Sequence, residues 1–177
     1  MAGALSPASF VDWNPEPLTS TALKDMNLKK YFGVFALLFT CTLCVVAQDQ
    51  GYWRASSTTA RSITGDITLS ETSVVFNFSS FTIAPIRKMK TTEVAAVFDA
   101  DVNSGVQGNL YRLSIPSERR FLHKNTLCGT ESAQWMATFV SGRNLQVALF
   151  SGLDEPVFTF DALANTSTRC ATFTYGR

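Results

Sequence analysis

The sequence predicts an all-β domain: an antiparallel up-and-down β-barrel of about eight strands, with a β-sandwich as the alternative fold. Three observations carry this prediction. From residue 53 onward apolar residues recur at every second position in short runs, the period of a strand with one buried face. Gly, Ser, Asn, Asp or Pro breaks each run, as hairpin turns require. Strong helical periodicity is missing from the same region, and many short sequence-adjacent strands favour closure, which removes edges that would otherwise pair with other chains.

Ahead of the strands, residues 26–47 have the three parts of an export signal. Lys29 and Lys30 precede an apolar run from Tyr31 to Val46, and Val45 and Ala47 are small residues placed before a cut. The mature chain then starts near Gln48. A run of roughly 17 residues is marginal for crossing a bilayer core of roughly 30 Å, so an uncleaved signal anchor with its lysines on the cytoplasmic side is the alternative. Cys41 and Cys44 fit a lipobox poorly, since each follows Thr or Leu and not small residues. Residues 1–25, with "NPEPL" and no apolar period, read as a disordered lead or as a mis-assigned start, Met26 being the true initiator.

Residues 48–177 are expected to form the single β-barrel domain, a size that supports its own core. Lys and Arg number 12 there against 11 Asp and Glu, so the domain is nearly neutral and lacks the basic stripe that nucleic-acid binding needs. Arg87, Lys88 and Lys90, and Arg119, Arg120 and Lys124, read as solvated loop charges.

The strands follow in order. Trp53 stands at the base of the first; Ile63, Ile67 and Leu69 alternate across "SITGDITL", then Val74, Phe76 and Phe78. The phase slips at Ser79-Ser80 before Phe81 and Ile83, which marks a turn or bulge. The pattern continues in "EVAAVF", "NLYRLSI", "QWMATFV" and "NLQVALF", and ends in "ATFTY", where Phe173 and Tyr175 share a face and Cys170 has the opposite parity. "DEPVFTFDALA" and "IPSERRF" each have room for one turn of helix. Phe76, Phe78, Phe81, Trp135, Phe139, Phe158 and Phe173 either line a cavity of on the order of a few hundred Å³ or simply fill a small barrel.

Little in this region specifies chemistry. Cutting the signal leaves Cys128 and Cys170, which in an exported chain most simply pair, closing a loop of about 40 residues for on the order of 3 to 4 kcal/mol. In the cytosol they would be two free buried thiols. The one histidine, His123, has no nucleophile elbow to serve, and no spacing suits zinc. "NSGVQGNLY" lacks the Lys-Ser/Thr of a phosphate loop. Asp99, Asp101 and Asn103 alternate like the first ligands of a calcium loop, but Ser104 stands where Gly is wanted and Leu110 where Glu is wanted. They form a weak candidate metal site, and a polar turn explains them equally. No cofactor is expected. Asp99 with Asp101, and Asp154 with Glu155, are carboxylate pairs in turn-like contexts. Asn77 and Asn165 head N-x-S/T sequons, relevant only to a eukaryotic secretory route.

Gly51-Tyr52-Trp53 resembles the Gly-x-Trp of lipocalins. That resemblance implies a lipocalin-like barrel with Trp53 packed across its closed end, covered by either Arg169 or Arg177. A second resemblance spans more of the chain: "SITGDITL", "LYRL", "NTLCG" and "CATFTY" are similar to blocks of small exported bacterial proteins of unassigned function. It implies export and a bond between Cys128 and Cys170. The functional expectation is an exported, non-enzymatic barrel, periplasmic or secreted. It would bind a small apolar molecule or an envelope protein, touching a membrane only through an uncleaved signal. The alternatives are a periplasmic inhibitor or envelope-assembly module, and a hydrolase whose carboxylates converge in space.

Overall fold

The computed structural model describes residues 48–101 and 107–177; residues 1–25, read above as a lead, residues 26–47, read as a signal, and Asn103 lie outside the described residues. Eight strands run β1 Gly51–Ala55, β2 Ile67–Leu69, β3 Ser73–Phe76, β4 Ser79–Met89, β5 Gly108–Ile115, β6 Ala133–Ser141, β7 Asn144–Phe150 and β8 Arg169–Gly176. Each pairs antiparallel with the next, and β8 returns to β1, so the sheet is a closed up-and-down barrel. The barrel expectation holds, and the sandwich is excluded.

Inward-facing residues at every second position form one core, led by Trp53, Ile67, Phe76, Ile83, Met136 and Tyr175. The chain enters β1 and leaves β8 at one end of the barrel, the entry end. At the far end the helix α1 (Thr58–Ile63) lies between β1 and β2, and its Ala60 joins the barrel core together with Phe121 and Leu127 from the β5–β6 connection. The ring of Phe121 sits 6.4 Å from Phe76 and 6.0 Å from Phe81. This mouth is therefore plugged. Cys128 and Cys170 are bonded, tying the plug to β8. A bulge makes that possible: Ala171 faces Leu149 and Arg169 faces Phe150, which leaves Cys170 as the extra residue and sets it against the core despite its parity.

A second apolar layer lies outside the barrel. Helices α2 (Thr91–Phe98) and α3 (Phe160–Asn165) cover the outer faces of β4 to β7, where Met89, Leu110, Phe139 and Phe150 meet Val94, Phe98, Phe158 and Leu163. Strands buried on both faces read as nearly continuous apolar runs, which is what "WMATF" and "VALF" are.

This layer corrects several expectations. "EVAAVF" is not a strand but most of α2, with Val94 to Phe98 all buried. A short apolar run carries no period that separates strand from helix. The Glu93 carboxylate accepts the Lys90 N–H at 2.8 Å and starts the helix. Ile63 ends α1, which Ser57 caps by accepting the Ala60 N–H at 3.1 Å, and Gly65 at φ +64° terminates it through a 2.8 Å bond to the Ala60 carbonyl. Phe78 is fully exposed. It and Asn77, at φ 61° and 45°, form a two-residue turn between β3 and β4, the cause of the phase slip. Trp135, Ala137 and Phe139 point outward into the helix layer, and Phe158 packs there too, so Met136 takes the interior position on β6.

Candidate functional site

Residues facing the barrel axis, from Trp53 through Met136 to Tyr175, retain 0–4% of their exposure, with Phe76 and Phe173 fully buried among them and Phe81 packed against them. Any site among the described residues is at the ends or on the outer surface.

At the entry end the chain folds Asp49 inward to 1% exposure. One carboxylate oxygen, Oδ2, accepts from Thr138 Oγ1 at 2.6 Å, Tyr111 OH at 2.8 Å and Asn109 Nδ2 at 2.9 Å. The other, Oδ1, has no partner among the described residues. The Asp49 carbonyl accepts the Trp53 indole N–H at 2.8 Å. Arg177, not Arg169, covers Trp53, its guanidinium carbon 3.8 Å from the ring centroid, and donates to the Gln50 carbonyl. Burial, with the adjacent Asp49 carboxylate, pushes the Tyr111 phenol well above its usual value, so it stays protonated and can only donate to Oδ2. The cluster clamps the chain's entry into the barrel. Sequence reading missed Asp49 because one acid beside an expected cut looks like any solvated polar residue.

Of the three candidate metal residues, Asn103 lies outside the described residues. Asp99 ends α2 in the left-handed conformation, φ 55°, with its N–H on the Ala95 carbonyl, and Asp101 is exposed. No group of three or more His, Cys, Asp or Glu side chains able to hold a metal occurs among the described residues. His123 is exposed at φ 54° in a short 3-10 turn.

Two acids do converge, on an arginine. Arg87 Nη2 donates to Glu93 Oε1 at 2.9 Å and to Glu155 Oε1 at 2.6 Å. Arg87 holds the Glu93 carboxyl below its ordinary value. General acid chemistry needs the reverse, a carboxyl held protonated. The trio instead straps the loop after β7 to the outer sheet, helped by Arg112. That side chain donates to the Leu153 carbonyl at 3.1 Å and lies 4.5 Å from the Trp135 ring centroid.

The strapped loop frames the clearest surface feature. Between residues 151–157 and α3 lies a half-open groove of about 330 Å³, lined by Leu153, Asp154, Glu155, Val157, Leu163 and neighbours. Leu153 is 79% exposed, Val157 65% and Phe160 62%. Three large apolar side chains within eight residues, turned to solvent beside a concavity, are a denser apolar feature than singly scattered surface residues. Comparisons with protein-family models, with curated proteins and with solved structures each find no match to this chain.

Proposed function

We propose that this chain is an exported, non-enzymatic barrel domain, periplasmic or secreted, that acts by binding an envelope protein. The groove between residues 151–157 and α3 is the binding surface. The observation that carries this reading is the exposed pair Leu153 and Val157 lining that groove, with exposed Phe160 at the start of α3. The close burial of the inward-facing side chains favours it over a small apolar guest. The Cys128–Cys170 bond supports an oxidising compartment, and the "KK" plus apolar run of residues 26–47 supports export as a cleaved signal. Asp154 and Glu155 at the groove suit a partner segment with an apolar side chain beside a Lys or Arg. Photo-crosslinkers placed at Leu153, Val157 and Phe160 in the native compartment should give one discrete adduct, and a crosslinker at exposed Glu71 should not. Absence of any adduct at all three positions, or native mass spectra in which the purified protein carries a small apolar molecule, would overturn the proposal.

A further inference from the structure

The barrel seam between β1 and β8 closes over only part of its length. β8 runs from Arg169 to Gly176, but its pairing with β1 consists of Gly176 with Arg54 and Tyr175 with Ala55. Beyond that, Ser56 and Ser57 donate their N–H groups to the Thr174 carbonyl at 2.9 and 3.0 Å, and Ser57 Oγ accepts the Thr174 N–H at 3.1 Å. The chain then turns into α1. Within a strand, the N–H and C=O of successive residues point to opposite sides, and those of residues two apart point to the same side. Thr174 points toward β1, so Thr172 points the same way, into the place β1 has left. Thr172 is exposed.

Unpaired strand edges are templates for another strand. This one adjoins a groove of about 370 Å³ lined by Val97, Phe98, Gln146, Arg169 and Thr172, with Asp99 its one acid. Arg169 borders the gap on the β8 side, and Arg61 of α1, whose Nη2 donates to the Ser56 carbonyl at 2.6 Å, stands on the other. Both are exposed, and neither is in an ion pair among the described residues, where Arg87 makes the salt bridges.

We infer that this gap accepts an extended segment of a partner protein as an added strand. The segment's backbone pairs with Thr172, one of its side chains enters the Val97–Gln146 groove, and its acidic side chains meet Arg169 and Arg61. Main-chain bonds supply affinity in such additions and the flanking pockets supply selectivity. This edge is separate from the apolar loop surface, so either can fail without the other.

The test uses two probes, the nonapeptides acetyl-(Val-Glu)4-Val-amide and acetyl-(Val-Lys)4-Val-amide, titrated into the isotope-labelled disulfide-bonded protein. The acidic peptide should bind at least about tenfold tighter than the basic one and slow hydrogen exchange at the Thr172 amide. Thr172→Pro, which removes an edge N–H without touching the β7 ladder, should weaken binding by about tenfold. Arg169→Glu should abolish the preference for acid. Equal affinity for both peptides, no binding, or protection elsewhere than around Thr172 would overturn the inference. So would protection of Thr172 that grows with protein concentration alone, since a second copy would then be the occupant. Should Thr172→Pro fail to fold, the exchange measurement on the parent protein decides.

Discussion

Among the described residues, three donors at Asp49 converge on Oδ2 while Oδ1 has no partner, and this asymmetry separates two substitutions. Asp49→Ala leaves Tyr111 OH, Thr138 Oγ1 and Asn109 Nδ2 without their acceptor. At roughly 1 kcal/mol of net stabilisation each, the loss is about 3 kcal/mol. Asp49→Asn can turn its amide oxygen to the same three donors and place its NH2 where Oδ1 now has nothing. It also removes a carboxylate buried with no cation against it, which relieves a desolvation cost. Its expected loss is under about 1 kcal/mol. Urea unfolding reads both, with Trp53 as a local fluorescence reporter because its indole N–H donates to the Asp49 carbonyl. For a slope of about 2 kcal/mol/M, the midpoint falls by about 1.5 M for Asp49→Ala and by less than about 0.5 M for Asp49→Asn. Equal losses in the two variants would refute the argument from asymmetry. A harmless Asp49→Ala would show that the entry clamp contributes nothing.

Replacing Cys128 and Cys170 by serine opens a crosslink of sequence separation 42, worth about 4 kcal/mol in the chain-entropy model; a fall of less than about 1 kcal/mol in the same titration would mean the reduced chain retains the plug. Arg177→Ala uncovers the Trp53 ring and should cost about 1 kcal/mol with a red shift of tryptophan emission, and unchanged emission would contradict the stacking. Glu93, whose carboxyl Arg87 holds low, contributes stability that is present above the unfolded carboxylate pKa of about 4.3 and is lost as pH falls through the lower folded value. With Arg87 34% exposed, solvent screening limits this to about 0.5 to 1 kcal/mol. The gap between parent and Glu93→Gln should therefore be seen at pH 7 and should close in acid; a gap independent of pH would assign the effect to packing.

Strands whose outer face is solvated were legible residue by residue. Ile67, Leu69, Val74 and Phe76 alternate in the sequence and face the core in the fold, because water on one side forces polar residues between them. Where a helix covers the second face that contrast disappears, which is why Trp135 and Phe139 were expected inside and why "EVAAVF" read as a strand. Some local cues were present but went unread, among them Ser57 and Gly65 bracketing α1, and Asn77 as the first residue of the turn that exposes Phe78. The groove beside α3 could not be foreseen, since its walls meet only after β7, α3 and the Arg87 strap are assembled.

By itself, then, the sequence determined a closed set of short strands, a Trp53 core position and a two-cysteine pairing, all consequences of period-two alternation and of counting. Tertiary structure alone decided the rest: that Asp49 is buried, that Arg177 rather than Arg169 covers Trp53, and that the β1–β8 seam stops short at Tyr175. Each of those depends on which distant segment packs against a residue, and alternation along the chain records only whether one face is buried, not what buries it.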